Sequence, residues 1–266
     1  MSDAEKLIEL LNKKTKLVAM VAPSFPIMYD PQEITSKLRR LGFSRVVEVA
    51  VGAKKTNEQA VAILSNNPTT RFITSPCASF VRLMRTKHPE LLHYVSFEID
   101  SPMVATPKIV GKLWPDHQPV FIGPCLVKKL EASQDHPDLN ILVLTYRELE
   151  VVFAKMDIDN LPQNQTAGFD LEEATTRIYP IDGGLTDTSG ARKLLDKDEI
   201  RIVSGWKNCE IALKEFEDNK KIRLLDILFC EGGCIMGPGI TSKLSLEQRR
   251  EKVVSYANDF KAAPAP

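Results

Sequence analysis

The sequence predicts an α/β protein made of two facing βαβ-type lobes with mainly parallel sheets. Three observations carry this prediction. Short apolar, β-branched runs recur along the chain, a segment with helical spacing follows most of them, and several of the runs end in a turn that contains proline. Strands that alternate with helices at this spacing pair in parallel through right-handed crossovers.

Taken in order, residues 1–14 form a charged amphipathic helix with Leu7, Ile8, Leu10 and Leu11 on one side. The segment lacks the uninterrupted apolar core of a secretory leader. Residues 16–22 read as a buried strand running into Ala22, Pro23 and Ser24. Asp30 and Pro31 open a helix that Gly42 stops after Leu41, with Pro31 suited to the first turn. A second strand is expected over 45–51, a helix capped by Thr56 over 56–65, and a third strand over 71–75 that delivers Pro76 and Cys77. Helices follow over 78–86 and 101–113, the latter through Pro107. A fourth strand covers 119–122 and ends in Gly123, Pro124 and Cys125; a fifth covers 141–145, with its helix over 146–155. Residues 157–189 read as a long connection over the sheet edge, a kind of loop that often carries function. A strand over 199–204, a helix over 207–216 and a last strand over 224–229 lead into Cys230, Glu231, Gly232, Gly233 and Cys234. The expected division is an N-terminal lobe over 1–115, a C-terminal lobe over 116–260 and a flexible tail over 261–266.

Composition narrows the function. Lysine plus arginine and aspartate plus glutamate balance at 35 each, so no global field favours nucleic acid or an anionic membrane. No stretch reaches the ~18 consecutive apolar residues of a membrane span. The expectation is a cytoplasmic protein whose five cysteines stay reduced and act as ligands, nucleophiles or core residues.

Four of the cysteines share a setting. Cys77 and Cys125 each follow a strand and a proline, Cys230 ends another strand, and Cys234 comes one turn later. Two glycines between Cys230 and Cys234 permit a tight backbone and leave room for a bulky ligand. Four thiolates at one sheet edge suit a 4Fe-4S cluster, while a four-thiolate zinc site and buried thiols beside a glycine-rich turn are the alternatives. Cys209 lies inside a predicted helix and reads as a small buried apolar residue. The histidines, His88, His93, His117 and His136, read as surface residues.

The ordered set Thr74-Ser75-Pro76-Cys77, Gly123-Pro124-Cys125-Leu126-Val127-Lys128-Lys129 and Cys230-Glu231-Gly232-Gly233-Cys234 resembles the catalytic domain of iron-iron hydrogenases. Residues 142–149 lie between the second and third motifs, and the resemblance runs from about Val18 to Gly239. It implies an H-cluster: a 4Fe-4S cubane held by Cys77, Cys125 and Cys230, bridged by Cys234 to a two-iron subsite with CO, cyanide and azadithiolate. Lys128 matches the family's cyanide-binding lysine, and Ala22, Pro23 and Ser24 match the loop against the two-iron subsite, where Ser24 offers a donor. The implied activity is reversible H2 oxidation and proton reduction at modest turnover or in a sensory role. The alternative is a non-catalytic 4Fe-4S electron-transfer protein or structural subunit. The implied partners are a ferredoxin-like electron carrier or iron-sulfur subunit and the hydrogenase maturation proteins.

The chain also departs from that pattern. Pro76 replaces the cysteine that donates protons beside the distal iron, Gly123 replaces a methionine, and Glu231 stands where many members have proline. The carboxylates that extend the proton relay do not recur, since residues 56–64 offer Glu58 but then Gln59 and Ala62, so protons are expected to pass through water or the surroundings of Ser24 and Glu231. The chain reads as a minimal catalytic domain of the sensory type without its own accessory clusters.

Overall fold

A computed structural model describes residues 1–160 and 168–259. Its strands are β1 (Leu17–Val21), β2 (Arg45–Glu48), β3 (Phe72–Ile73), β4 (Gln118–Gly123), β5 (Leu142–Thr145), β6 (Ile200–Ser204) and β7 (Leu224–Leu228). They form two parallel sheets, one in the order β2-β1-β4-β5 and the other β3-β7-β6. The α/β class and the parallel pairing are as the sequence predicts. β1 is buried at all five positions because helices cover both faces of its sheet, which is why it reads as a continuous apolar run.

The helices are α1 (Asp3–Asn12), α2 (Pro31–Leu41), α3 (Ala50–Asn66), α4 (Ala78–Lys87), α5 (Pro102–Leu113), the single turn α6 (Lys128–Leu130), α7 (Tyr146–Lys155), α8 (Gly184–Ser189), α9 (Trp206–Asp218) and α10 (Leu246–Asp259). Local signals set several of their ends. The Asp30 carboxylate accepts from the Gln32 and Glu33 amides to start α2, and Gly42 ends it at φ 114°. Thr145 and Glu148 form a reciprocal capping box on α7.

Three expectations need correction. The lobes do not divide at residue 115: the first sheet takes β1 and β2 from the first half of the chain and β4 and β5 from the second, while β3 crosses to pair with β7. The lobes are therefore interleaved in sequence. The strand expected to reach Val51 stops at Glu48, and α3 begins at Ala50, so Thr56 is interior to the helix rather than its cap. Its hydroxyl donates to the Gly52 and Asp100 carbonyls at 3.1 and 2.8 Å. Gly52 lets α3 lie against α5; a Cβ there would sit 2.4 Å from the Pro102 carbonyl oxygen and 2.3 Å from Thr106 Oγ1. Finally, α10 was not expected, although Ser245 and Gln248 satisfy each other's backbone amides at its start. The expected tail over 261–266 lies outside the described residues, as do 161–167 of the long connection.

One apolar core surrounds the first sheet, and two others pack against β3, β6 and β7. Between the first sheet and α10 runs a buried ion pair: Arg177 Nε lies 3.1 Å from both Glu48 oxygens, and its guanidinium stacks 4.1 Å over the Tyr256 ring. Because overpacking a tight helix contact costs about 1–3 kcal/mol, Gly52→Ala should lower the unfolding free energy by that amount, read as a lower urea midpoint with an unchanged slope. An unaltered midpoint would mean that α3 and α5 do not meet at Gly52.

Candidate functional site

The candidate cysteines all lie just beyond carboxyl ends of parallel strands, the edge where open α/β sheets place their ligands. Cys125 comes two residues after β4, and Cys230 two residues after β7. Cys77 stands at the N-terminus of α4 on the chain that leaves β3. Cys234 opens a short 3-10 turn, Cys234–Met236. The four come from both sheets, so the site lies on the seam between them.

The loop from Cys230 to Cys234 depends on its glycines. Gly232 and Gly233 adopt φ of 73° and 96°, and a Cβ on Gly233 would meet the Pro180 carbonyl oxygen at 2.5 Å. The buried Arg249 of α10 ties down the chain that follows, donating to the Ile235, Ser242 and Leu244 carbonyls. Charged α10 thus serves the site from outside it.

All five cysteines are free thiols, and the four at the seam act on one another electrostatically. Burial pushes the Cys77 thiol up and Cys125 adds to this, while the Phe229 amide, 3.4 Å from Sγ, and Lys128 oppose it. Burial, then Cys77 and Cys125, push Cys230 up to about 12. Burial, then Cys77, Cys125 and Cys230, push Cys234 well above the ordinary thiol range. Cys209 stands behind this group on α9, fully buried, with its Sγ directed at the Leu228 carbonyl at 3.6 Å.

This donor set fits a cluster better than a single ion. A tetrahedral zinc site with Zn–S near ~2.3 Å would bring its sulfurs within about 4 Å of each other. Among the described residues no group of three Cys, His, Asp or Glu side chains is placed to hold a single metal ion. A cubane offers each thiolate its own iron and suits a wider ring.

Beside Cys125 and Cys234 is a cavity of about 70 Å³, walled mostly by apolar groups that include Pro23, Pro76, Met103, Phe121 and Leu228. Ala22, Ser24 and Lys128 also line it. Ser24 Oγ lies 3.0 Å from the Tyr146 hydroxyl, which itself donates to the Ala22 carbonyl at 2.7 Å. With the tyrosine proton committed, Ser24 is the donor in their contact, so it offers the cavity lone pairs rather than the proton expected from sequence. Lys128 is 9% exposed and donates to the Pro76 carbonyl at 3.0 Å and to Ser101 Oγ at 3.1 Å. Glu131 Oε2 approaches its ammonium at 2.5 Å without hydrogen-bond alignment. Burial opposes the charge of Lys128, but Glu131, with Cys125 and Cys234, outweighs it and holds the ammonium above its usual pKa.

The structure thus gathers Ala22, Pro23, Ser24, Cys77, Cys125, Lys128, Cys230 and Cys234 on one seam. Glu231 does not join them: it is exposed and does not line the cavity, because the turn at Gly232 sends it outward. The histidines do not line it either. Sequence reasoning missed Glu131, Ser101, Tyr146 and Tyr179. Glu131 was legible as the i+3 partner of Lys128, whereas Tyr179 lies in irregular chain with no periodicity to mark it.

Similarity to known proteins agrees with this geometry. The profile of a family described as "Iron only hydrogenase large subunit, C-terminal domain" matches residues 15–238. The chain is 24% identical to the "Probable cytosolic Fe-S cluster assembly factor oxy-4" of Caenorhabditis elegans, over 87% of this chain and 62% of that protein. It is 24% identical to "Iron hydrogenase 1" of Clostridium pasteurianum, over 78% of this chain and 45% of that protein. The chain therefore spans about half the length of the curated relatives it matches. A solved variant of the FeFe-hydrogenase HydA1 from Chlamydomonas reinhardtii shares the fold, with a TM-score of 0.74 at 17% identity over 97% of this chain and 88% of that one.

With Cys230 at about 12 against ~8.5 for a free thiol, its thiolate fraction at neutral pH falls by roughly three orders of magnitude, only partly offset by greater nucleophilicity. In metal-free protein, mass spectrometry should show Cys230 alkylating at least about tenfold more slowly than a free cysteine, and still accelerating past pH ~9. A rate equal to that of free cysteine would contradict the burial described.

Proposed function

The chain belongs to the family of C-terminal domains of iron-only hydrogenase large subunits, and on that premise we propose that it carries an H-cluster and interconverts H2 with protons and electrons. Cys77, Cys125 and Cys230 would hold the cubane, and Cys234 would bridge to a two-iron subsite bearing CO, cyanide and azadithiolate. The observation that carries this reading is the apolar cavity beside Cys234 and Lys128. A lone cubane needs neither that space nor the buried ammonium of Lys128 beside it.

When bound, the two-iron group supplies the chemistry that makes and breaks the H–H bond. The chain's own residues would do the rest. Pro23, Pro76, Met103 and Phe121 exclude water, which strengthens every electrostatic contact inside. Lys128 presents a fixed cation: Pro76 and Ser101 hold two of its N–H groups, and the third meets Glu131 without hydrogen-bond alignment. A cyanide in the cavity can accept from that third N–H, a charge-assisted bond of the stronger kind. Ser24, with its proton turned to Tyr146, would accept from a protonated group near the subsite.

Electrons would come from a ferredoxin-like carrier or an iron-sulfur partner protein, and the two-iron group from hydrogenase maturation proteins. Among the described residues no helix is long and apolar enough to cross a membrane, and we place the protein in the cytoplasm. A second reading is a non-catalytic iron-sulfur protein with only the cubane. Pro76 in the cavity wall, which has no proton to give, favours it, as does the relative described as an Fe-S cluster assembly factor.

The two readings separate in infrared spectra of anaerobic protein matured with a synthetic two-iron complex. The hydrogenase reading predicts iron-bound CO and cyanide bands together with H2 evolution. Cys234→Ala should keep the cubane and lose those bands, and Lys128→Ala should lower their yield and the rate. Cubane iron in the native protein without the bands would leave the non-catalytic reading in place.

A further inference from the structure

Tyr179 carries a buried hydroxyl that has no hydrogen-bond partner, and it lines the cavity beside Cys234. Thr56 lies near without hydrogen-bond geometry, its own proton held by the Gly52 and Asp100 carbonyls. Leaving such a hydroxyl unpaired costs about 1–3 kcal/mol, so its surroundings should contain an acceptor or a water. Tyr179 also bounds a second, smaller void of about 10 Å³, enclosed with it by Thr74, Pro76, Ile181, Asp226 and Leu228. That volume is close to what one ordered water occupies.

Besides Tyr179, the polar side chains that line this void are Thr74, whose hydroxyl accepts from the Ile227 amide at 3.1 Å, and Asp226 of β7. Asp226 is 3% exposed, and both of its described hydrogen bonds go to Oδ2, from the Thr186 amide at 3.1 Å and the Thr186 hydroxyl at 2.7 Å. The charged groups that act on it, Asp187 and Asp182, are both acidic. Burial pushes its carboxyl up, the Thr186 bonds pull it back, and the two aspartates add to the rise. The carboxyl therefore holds a proton more readily than an exposed aspartate does.

We propose that Asp226, one water in the small void and the Tyr179 hydroxyl form a proton relay that enters the cavity beside Pro76. This inference rests on the hydrogenase reading and supplies the donor that Pro76 cannot. In each passage Tyr179 gives its proton to an acceptor in the cavity and takes one from the water, and the water takes one from Asp226. The carboxylate left behind is reprotonated from the side of the exposed Asp187. One proton enters, one leaves, and no electron moves. Because burial keeps the Tyr179 hydroxyl neutral, the protons shift together rather than through a free tyrosinate.

The test uses the full chain in two forms. In metal-free protein at neutral pH, infrared difference spectra should show a protonated carboxyl that disappears in Asp226→Asn and shifts in Tyr179→Phe. In matured protein, both variants should keep the CO and cyanide bands, evolve H2 about 100-fold more slowly, the low end for a positioned proton donor, and show a larger solvent isotope effect. The double variant should be no slower than the single ones. A carboxyl band unmoved by Tyr179→Phe, or wild-type evolution in Tyr179→Phe with intact bands, overturns the relay. If the wild-type chain never shows CO and cyanide bands, the hydrogenase reading fails, and the catalytic relay falls with it; a carboxyl that still shifts in Tyr179→Phe would then show that Asp226 and Tyr179 are coupled through the void although no H2 chemistry uses them.

Discussion

The structure depends on one topological constraint: strands of two parallel sheets point their carboxyl ends at a common seam. Parallel pairing of β1 with β4 and of β3 with β7 sends the segments after these strands to the same edge. Each is a short turn beyond a strand end, so a rigid ladder fixes where Cys77, Cys125 and Cys230 begin. A scaffold of this kind sets a site more closely than long loops can, because the side chains are only a few bonds from hydrogen-bonded backbone. The interleaving of the two sheets has a consequence for folding as well. Neither sheet can form from one half of the chain, so the seam is built only when distant segments have met.

Electrostatics then give the seam its chemistry. Buried thiols that raise one another's pKa hold their protons when no metal is present, so assembly of a cluster must displace those protons. Lys128 compensates in part. Its ammonium stays charged under burial because Glu131 stands against it, and its field favours negative charge on Cys77 and Cys234. The apolar wall beyond Cys234 raises the strength of each of these contacts. The same wall sets a condition on the proposed chemistry: a dry cavity needs a defined entry for protons, and Tyr179 lines both this cavity and the small void that Asp226 borders.

Most of this was legible where the signal is local. Asp30, Pro31 and Gly42 mark both ends of α2, Thr145 and Glu148 mark the start of α7, and β7 shows as an apolar run before Cys230. Cys77, Cys125 and Cys230 were legible because each follows a strand end, and Cys234 because it comes one turn after Cys230. What failed was what depends on a partner far away in sequence. The start of α3 at Ala50 rather than Thr56 goes with Gly52 lying against α5. The lobe boundary at 115 followed chain order, whereas β3 finds its partner about 150 residues further on, at β7. Tyr179 gave no signal because its role comes from two voids, and a void belongs to several segments at once. Glu231 was expected beside the site from its place in the motif, but the left-handed turn at Gly232 turns it to solvent.

The central claim is that the seam holds two metal assemblies, one at the ring of thiols and one in the cavity next to Cys234. Mössbauer spectroscopy on iron-57-enriched protein, before and after maturation, tests it most directly. The account predicts the signature of a single 4Fe-4S cubane beforehand and, afterwards, two additional low-spin irons whose appearance perturbs the cubane signal through the shared Cys234 thiolate. A cubane signal that is unchanged by maturation, with no further iron retained, would contradict it.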